Sequence, residues 1–204
     1  MGKRSAPSAR KLGLWLLLSL PATHLLWRWR SEALWPDDLV APSGEWAGRL
    51  LIVALMLTPL NLLLPRSPVV RWLVAHRRAF GVGAFLYAIM HLGFYGAGMG
   101  SFEAMVDELP LPGIGTGWAA LALMAPLALT STDAAMRALR AGWKRLQRLA
   151  YPAAILTLTH WLLVHDGLSE ALAQAAPLIA LELYRIIRAL RTGSGTASTS
   201  SAPT

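Results

Sequence analysis

Residues 79–97 read AFGVGAFLYAIMHLGFYGA, nineteen positions without a charge and with His91 among them. As a helix rising 1.5 Å per residue, this stretch spans about 28 Å, close to the ~30 Å hydrocarbon core of a bilayer. Arg77 and Arg78 stand directly before it, where basic residues anchor a membrane helix on its cytoplasmic side. The rest of the chain has the same character: 204 residues, 55% hydrophobic, 15% charged, with a mean hydropathy of +0.46. Soluble domains carry about 25% charged residues, so the composition speaks against both a water-soluble globule and a disordered chain.

Six apolar stretches follow: Leu12–Trp27, Trp46–Leu64, Ala79–Ala97, Trp118–Ala135, Leu149–Val164 and Ala171–Ile187. They predict an all-α membrane bundle of six transmembrane helices at residues 12–190, with tails at 1–11 and 191–204. The second tail, rich in Gly, Ser, Thr and Ala, reads as disordered. The first stretch follows Lys3, Arg4, Arg10 and Lys11 and could be mistaken for a secretory signal. Pro21 and His24 interrupt it, and no small-residue cleavage site follows, so it reads as a retained helix.

Charge sets the orientation. With the N-terminus inside, 16 of the 19 basic residues fall on cytoplasmic segments, and only Arg28, Arg30 and Arg49 fall outside, beside nine of the eleven acids. Both termini are therefore expected in the cytoplasm. The net charge of +8 and pI near 10.8 then need no nucleic acid to explain them. Trp27, Trp29, Trp35, Trp46, Trp118 and Trp161 fall at expected outer ends, and Trp15, Trp72 and Trp143 at inner ones. The segment Gly98–Gly117 is expected as an outer loop.

Cysteine is absent, which excludes thiolate metal sites, iron–sulfur clusters and thiol nucleophiles. Any metal or haem must be held by histidine or oxygen. Of five histidines, His76 and His165 read as solvated surface, whereas His91 and His160 lie inside apolar runs. His91 is 13 residues beyond Arg78 and His160 is 12 beyond Arg148. Both therefore lie about 18–20 Å from their cytoplasmic anchors, on spans running the same way. Two imidazoles at one level can supply both axial ligands of a haem. Interhelical hydrogen bonding, and proton or quinone chemistry, remain alternatives at this point. His24 lies at similar depth and reads first as a packing residue, second as an additional ligand or a proton donor near a quinone. Asp133 is placed to cap the inner loop and Glu182 to pair with Arg185.

Several segments together resemble a known family. They are Leu57-Thr58-Pro59-Leu60, then Arg77-Arg78-Ala79-Phe80-Gly81 running into Tyr87-Ala88-Ile89-Met90-His91, and Pro126 through Thr132. The most specific is Trp143-Lys144-Arg145-Leu146-Gln147-Arg148-Leu149-Ala150-Tyr151, followed by His160. In this order the chain, over residues 10–190, resembles the ferric-reductase-like transmembrane group. Within that group it resembles the haem-binding subunits (MsrQ) of bacterial periplasmic protein-methionine-sulfoxide reductase systems.

The resemblance implies an inner-membrane electron carrier with b-type haem, its core ligands mapping onto His91 and His160, and FMN binding besides. Electrons would come from the quinol pool or a cytoplasmic flavin reductase and pass to a periplasmic molybdopterin enzyme that reduces oxidised methionines. The family segment usually carries a histidine where this chain has Gln147, a poor iron ligand. One haem is therefore favoured over two; in the two-haem alternative His76 would substitute at the inner side. Arg77, Arg78, Lys144, Arg145 and Arg148 are candidates for a flavin phosphate or an acidic reductase, although topology alone explains them. No catalytic residue is assigned, because the expected role is that of an electron-transfer subunit. The competing functions are a stand-alone ferric or quinone reductase and a non-redox membrane scaffold.

Overall fold

The computed structural model describes residues 9–164 and 168–197. His165, Asp166, Lys3, Arg4 and the tail beyond Ala197 lie outside the described residues. What is described is all-helical, in ten helices: α1 Ala9–Ser31, α2 Pro36–Leu63, α3 Pro68–Ala75, α4 Arg77–Met99, α5 Phe102–Asp107, α6 Pro112–Leu129, α7 Asp133–Leu139, α8 Ala141–Gln147, α9 Ala150–Val164 and α10 Leu168–Ala197. Among the described residues, α2, α4 and α6 are long and apolar enough to cross a membrane. The 15-residue α9 is shorter than a full span.

The expected apolar stretches all fall on helices, but the boundaries move for identifiable reasons. Helix α2 starts ten residues before Trp46, because Pro36 occupies its first position and Asp37 and Asp38 its first turn, with the Trp35 N–H donating to Asp38 at 3.0 Å. A hydropathy reading passes over those polar residues. Helix α6 likewise begins at Pro112, so the expected outer loop is largely helical, with Ser101 capping α5. The stretch expected to continue to Ala135 ends at Leu129. Thr130 and Ser131 turn their hydroxyls back onto Pro126 and Leu127, and Thr132, rather than Asp133, caps the short α7. At the C-terminal end, α10 runs to Ala197, past the tail boundary expected at residue 191.

Two antiparallel helix pairs, α2 with α4 and α6 with α9, make the most extensive contacts and form the centre. Leu50, Leu51, Leu57, Phe80, Ala84, Met124 and Ala153 are buried between them. Helix α1 is fastened to this centre by a polar clamp. The Tyr87 hydroxyl donates to the Leu18 carbonyl and accepts from the Ala22 N–H, both at 2.8 Å, next to Pro21, which has no N–H to give the helix ladder. Helix α10 is held by Arg49, which bonds Gln174 at 3.1 Å, and by Arg188, which donates to the Leu62 carbonyl at 2.7 Å near the end of α2. Leu16, Leu17 and Leu20 of α1, Ile155 of α9, and Leu183, Ile186 and Leu190 of α10 are exposed. So much apolar surface would be an aggregation liability in water and suits contact with lipid tails.

Candidate functional site

The two interior histidines meet. His91 on α4 and His160 on α9 have ring centroids 6.0 Å apart, with planes inclined at 78°. Two imidazoles on opposite sides of one metal, each with a metal–nitrogen bond of about 2 Å and a ring nitrogen about 1 Å from its centroid, have centroids about 6 Å apart. The relative ring rotation is free in such an arrangement, so a steep interplanar angle is compatible with it.

Each ring is oriented through its other nitrogen. His91 Nδ1 lies 2.8 Å from the Val40 carbonyl oxygen and His160 Nδ1 lies 2.7 Å from that of Gly113. A carbonyl can only accept, so Nδ1 carries the proton in both rings and Nε2 of the neutral ring carries the lone pair. This is the tautomer that ligates metals through Nε2, with a carbonyl as outer partner. Among the described residues no group of three His, Asp or Glu could hold a metal ion. A metal at this pair would therefore need a chelate supplying its other ligands.

The rings border a cavity of about 340 Å³ between the two helix pairs. Its apolar wall comes from Val40, Ala88, Leu121, Met124 and Trp161, and its polar rim from Asp37, Glu45 and Tyr95. Trp161 is buried against Gly48 inside the bundle rather than standing at its expected outer edge. At the rim, the Tyr95 hydroxyl donates to the Glu108 carboxylate at 2.5 Å, and Glu45 pairs with Arg49 at 2.6 Å.

A second cavity of about 350 Å³ lies toward the other end of the bundle, and Met124 lines both. Arg77, Arg78, Lys144 and Arg148 border it, with Thr58, Ser131 and Tyr151 supplying hydroxyls. Arg145, grouped with them on sequence, does not line it. Arg78 Nη2 bonds Asp133 at 2.7 Å, while its buried Nη1 has no hydrogen-bond partner among the described residues. That hydrogen bond first, and the guanidinium charge second, hold the Asp133 carboxyl below the ordinary range. Gln147 also borders this cavity, with Nε2 3.3 Å from the Leu127 carbonyl. Together with Trp143, whose indole N–H donates to Thr130 O at 3.0 Å, it docks α8 on the end of α6. The segment Trp143–Tyr151 thus packs on Pro126–Thr132, another of the segments that carry the resemblance.

The remaining candidates lie elsewhere. His24 is exposed on α1 with its ring stacked on Trp27, and it lines neither cavity. His76 sits at the junction of α3 and α4, its ring tilted against that of Trp72 with centroids 4.4 Å apart and Nδ1 2.8 Å from the Trp72 carbonyl, and it lines neither cavity. Glu182 pairs with Arg185 at 2.8 Å, as expected.

Sequence reasoning missed Val40, Gly44, Gly113 and Gly117, the backbone positions against which the histidines rest. Two small-xxx-small spacings, Gly44 to Gly48 and Gly113 to Gly117, were the available signal for close helix approach.

The profile of the ferric reductase like transmembrane component matches residues 43–158. The protein-methionine-sulfoxide reductase heme-binding subunit MsrQ of Xanthomonas axonopodis pv. citri is 36% identical over 185 residues, covering 87% of this chain and 83% of the relative. That of Caulobacter vibrioides is 35% identical over 190 residues, covering 89% and 88%. No solved structure matches the chain.

Proposed function

The chain belongs to the MsrQ family of ferric-reductase-like membrane proteins, and from that premise we propose that it is a b-type cytochrome subunit. It carries electrons across the bacterial inner membrane to a periplasmic molybdopterin-dependent methionine-sulfoxide reductase. The observation that carries this reading is the imidazole pair at 6.0 Å, each ring held in the Nε2-ligating tautomer by a backbone carbonyl. A haem bound there supplies a one-electron Fe(III)/Fe(II) couple.

The protein's own part is positional. His91 and His160 would hold the haem iron, the apolar wall would keep water from the porphyrin, and the acidic residues Asp37 and Glu45 would face the periplasmic acceptor. The proposed topology has six spans (α1, α2, α4, α6, α9 and α10) with both termini cytoplasmic. It is supported by the segregation of basic residues to one side and by the exposed apolar faces of α1 and α10. Residues 1–11 and the segment beyond 190 then flank a single transmembrane domain.

The inner cavity is where the donor is received. Four cationic side chains and the unpartnered Arg78 Nη1 suit a phosphate, so FMN or the flavin of a cytoplasmic reductase is the favoured ligand, with quinol as the other donor class. Arg77, Arg78 and Arg148 would contact it. The engagement of the Gln147 amide with Leu127, and the placement of His76 outside the cavity, support one haem rather than two.

The test is absorbance of the purified protein together with co-purification of a tagged periplasmic reductase. The reading predicts a Soret band, reducible by quinol or by a flavin reductase, and oxidised again by the partner in the presence of methionine sulfoxide. Colourless protein would leave a scaffold; full turnover of ferric chelates without the partner would favour a self-contained reductase.

A further inference from the structure

Both histidines rest against a glycine of the neighbouring helix in the same way. A Cβ added at Gly44 would stand 2.9 Å from His91 Nδ1 and 3.0 Å from its Cε1. A Cβ added at Gly117 would stand 2.8 Å and 2.9 Å from the same atoms of His160. The carbonyl that receives each Nδ1–H lies four residues earlier on the same helix, Val40 before Gly44 and Gly113 before Gly117. Four residues is about one helical turn, so carbonyl and glycine fall on one face, the first oriented to accept and the second leaving room for the ring.

The arrangement occurs once in α2 for a ring on α4 and once in α6 for a ring on α9. Gly93, two residues beyond His91, meets nothing within 4 Å, so these close approaches are a property of the seats rather than of every glycine near the site.

We infer that Gly44 and Gly117 are paired seats that position the two axial histidines, each letting an imidazole drop onto a helix backbone so that the carbonyl one turn earlier fixes its tautomer and ring plane. The inference rests on the proposed haem ligation and adds the residues that set its geometry. They are positioning residues and touch no reacting atom. Any side chain at either seat displaces the ring from its carbonyl. The hydrogen bond that raises the basicity of the ligating nitrogen is then lost, and with it the ring plane.

The test compares Gly44→Ala, Gly117→Ala and the control Gly93→Ala in the full-length protein. Haem titration, the midpoint potential and the electron paramagnetic resonance g-values of the oxidised form are measured on each. Each seat variant should lose about tenfold or more in haem affinity, the scale of an outer-partner loss. The haem that remains should show altered g-values and a shifted potential, while Gly93→Ala matches the unsubstituted protein.

Should a seat variant fail to reach the membrane, proton electron–nuclear double resonance on the unsubstituted protein decides the point. The seats predict two Nδ1 protons that persist for minutes after transfer to D2O, and exchange within the dead time overturns the inference. Seat variants indistinguishable from Gly93→Ala overturn it as well. If the unsubstituted protein binds no haem, the ligation reading fails first, and that outcome is distinct from normal haem binding in all three variants.

Discussion

Replacing Tyr87 by Phe removes a single oxygen from the clamp that joins α1 to α4. That hydroxyl sits between the Leu18 carbonyl and the Ala22 N–H, 2.8 Å from each. These two groups are four residues apart on one helix, and in an unbroken ladder they would bond to each other. Without the hydroxyl the ladder can re-close, so the variant does not leave two polar groups stranded in an apolar interior. What it loses is one interhelical tie, worth about 0.6 kcal/mol on average and at most about 1.7 in a membrane bundle. Tyr87 is buried, and Phe keeps the ring and its packing on Trp46, so no large cavity term is added.

The expected cost is about 1 kcal/mol, or a fall of about 2–4 °C in Tm for a chain of this size. Thermal denaturation in detergent micelles measures the fall, and amide hydrogen exchange locates it. Protection should drop around Leu18–Ala22 and stay unchanged around His91 and His160. An unchanged Tm with unchanged exchange in α1 would refute the clamp. A fall several times larger would show that the ladder cannot re-close.

Arg78→Gln removes one of the four cations that border the inner cavity, and with it one charge-assisted contact of about 1.5–3 kcal/mol. FMN affinity, followed by quenching of flavin fluorescence, should therefore weaken about 10- to 100-fold; unchanged affinity would remove Arg78 from the donor site. Asp133→Asn probes the same guanidinium from the other side. The Asp133 carboxyl is held below its ordinary value, so its pairing with Arg78 stabilises the fold above the ordinary Asp pKa of about 4 and is lost as pH falls through the lowered value. The variant should be less stable than the parent near neutrality and equal to it in strong acid, by Tm measured across pH; a constant difference would contradict the pairing. Gln147→Ala loses one side-chain tie between α8 and α6, so stability should fall by about 0.5–1.5 kcal/mol while haem per protein stays the same. A halved haem content would overturn the one-haem reading.

Much of the architecture is legible in the residues, because hydropathy and charge run along the chain. The apolar runs fall on helices, and the equal depths of His91 and His160, counted from Arg78 and Arg148, correspond to rings brought within 6.0 Å. The starts of α2 and α6 were less legible. There helix is set by proline at the first position and, in α2, by acidic residues in the first turn, in polar segments that carry no hydropathy signal.

The seats of the histidines were least legible of all. Val40 and Gly113 act through backbone carbonyls, and Gly44 and Gly117 act by having no side chain, so only the pairing of helices distant in sequence shows what they do. Trp161 illustrates the same limit. An interfacial tryptophan and one packed on Gly48 inside a bundle look alike until the partner helix is in place.

The central claim is that one haem is held between His91 and His160, and the most direct measurement is a pyridine haemochrome assay with iron-to-protein stoichiometry. It should be made on the purified parent, on His91→Ala and on His160→Ala. The account predicts one haem per chain in the parent and little or none in either variant. Full haem retained by either variant would contradict it.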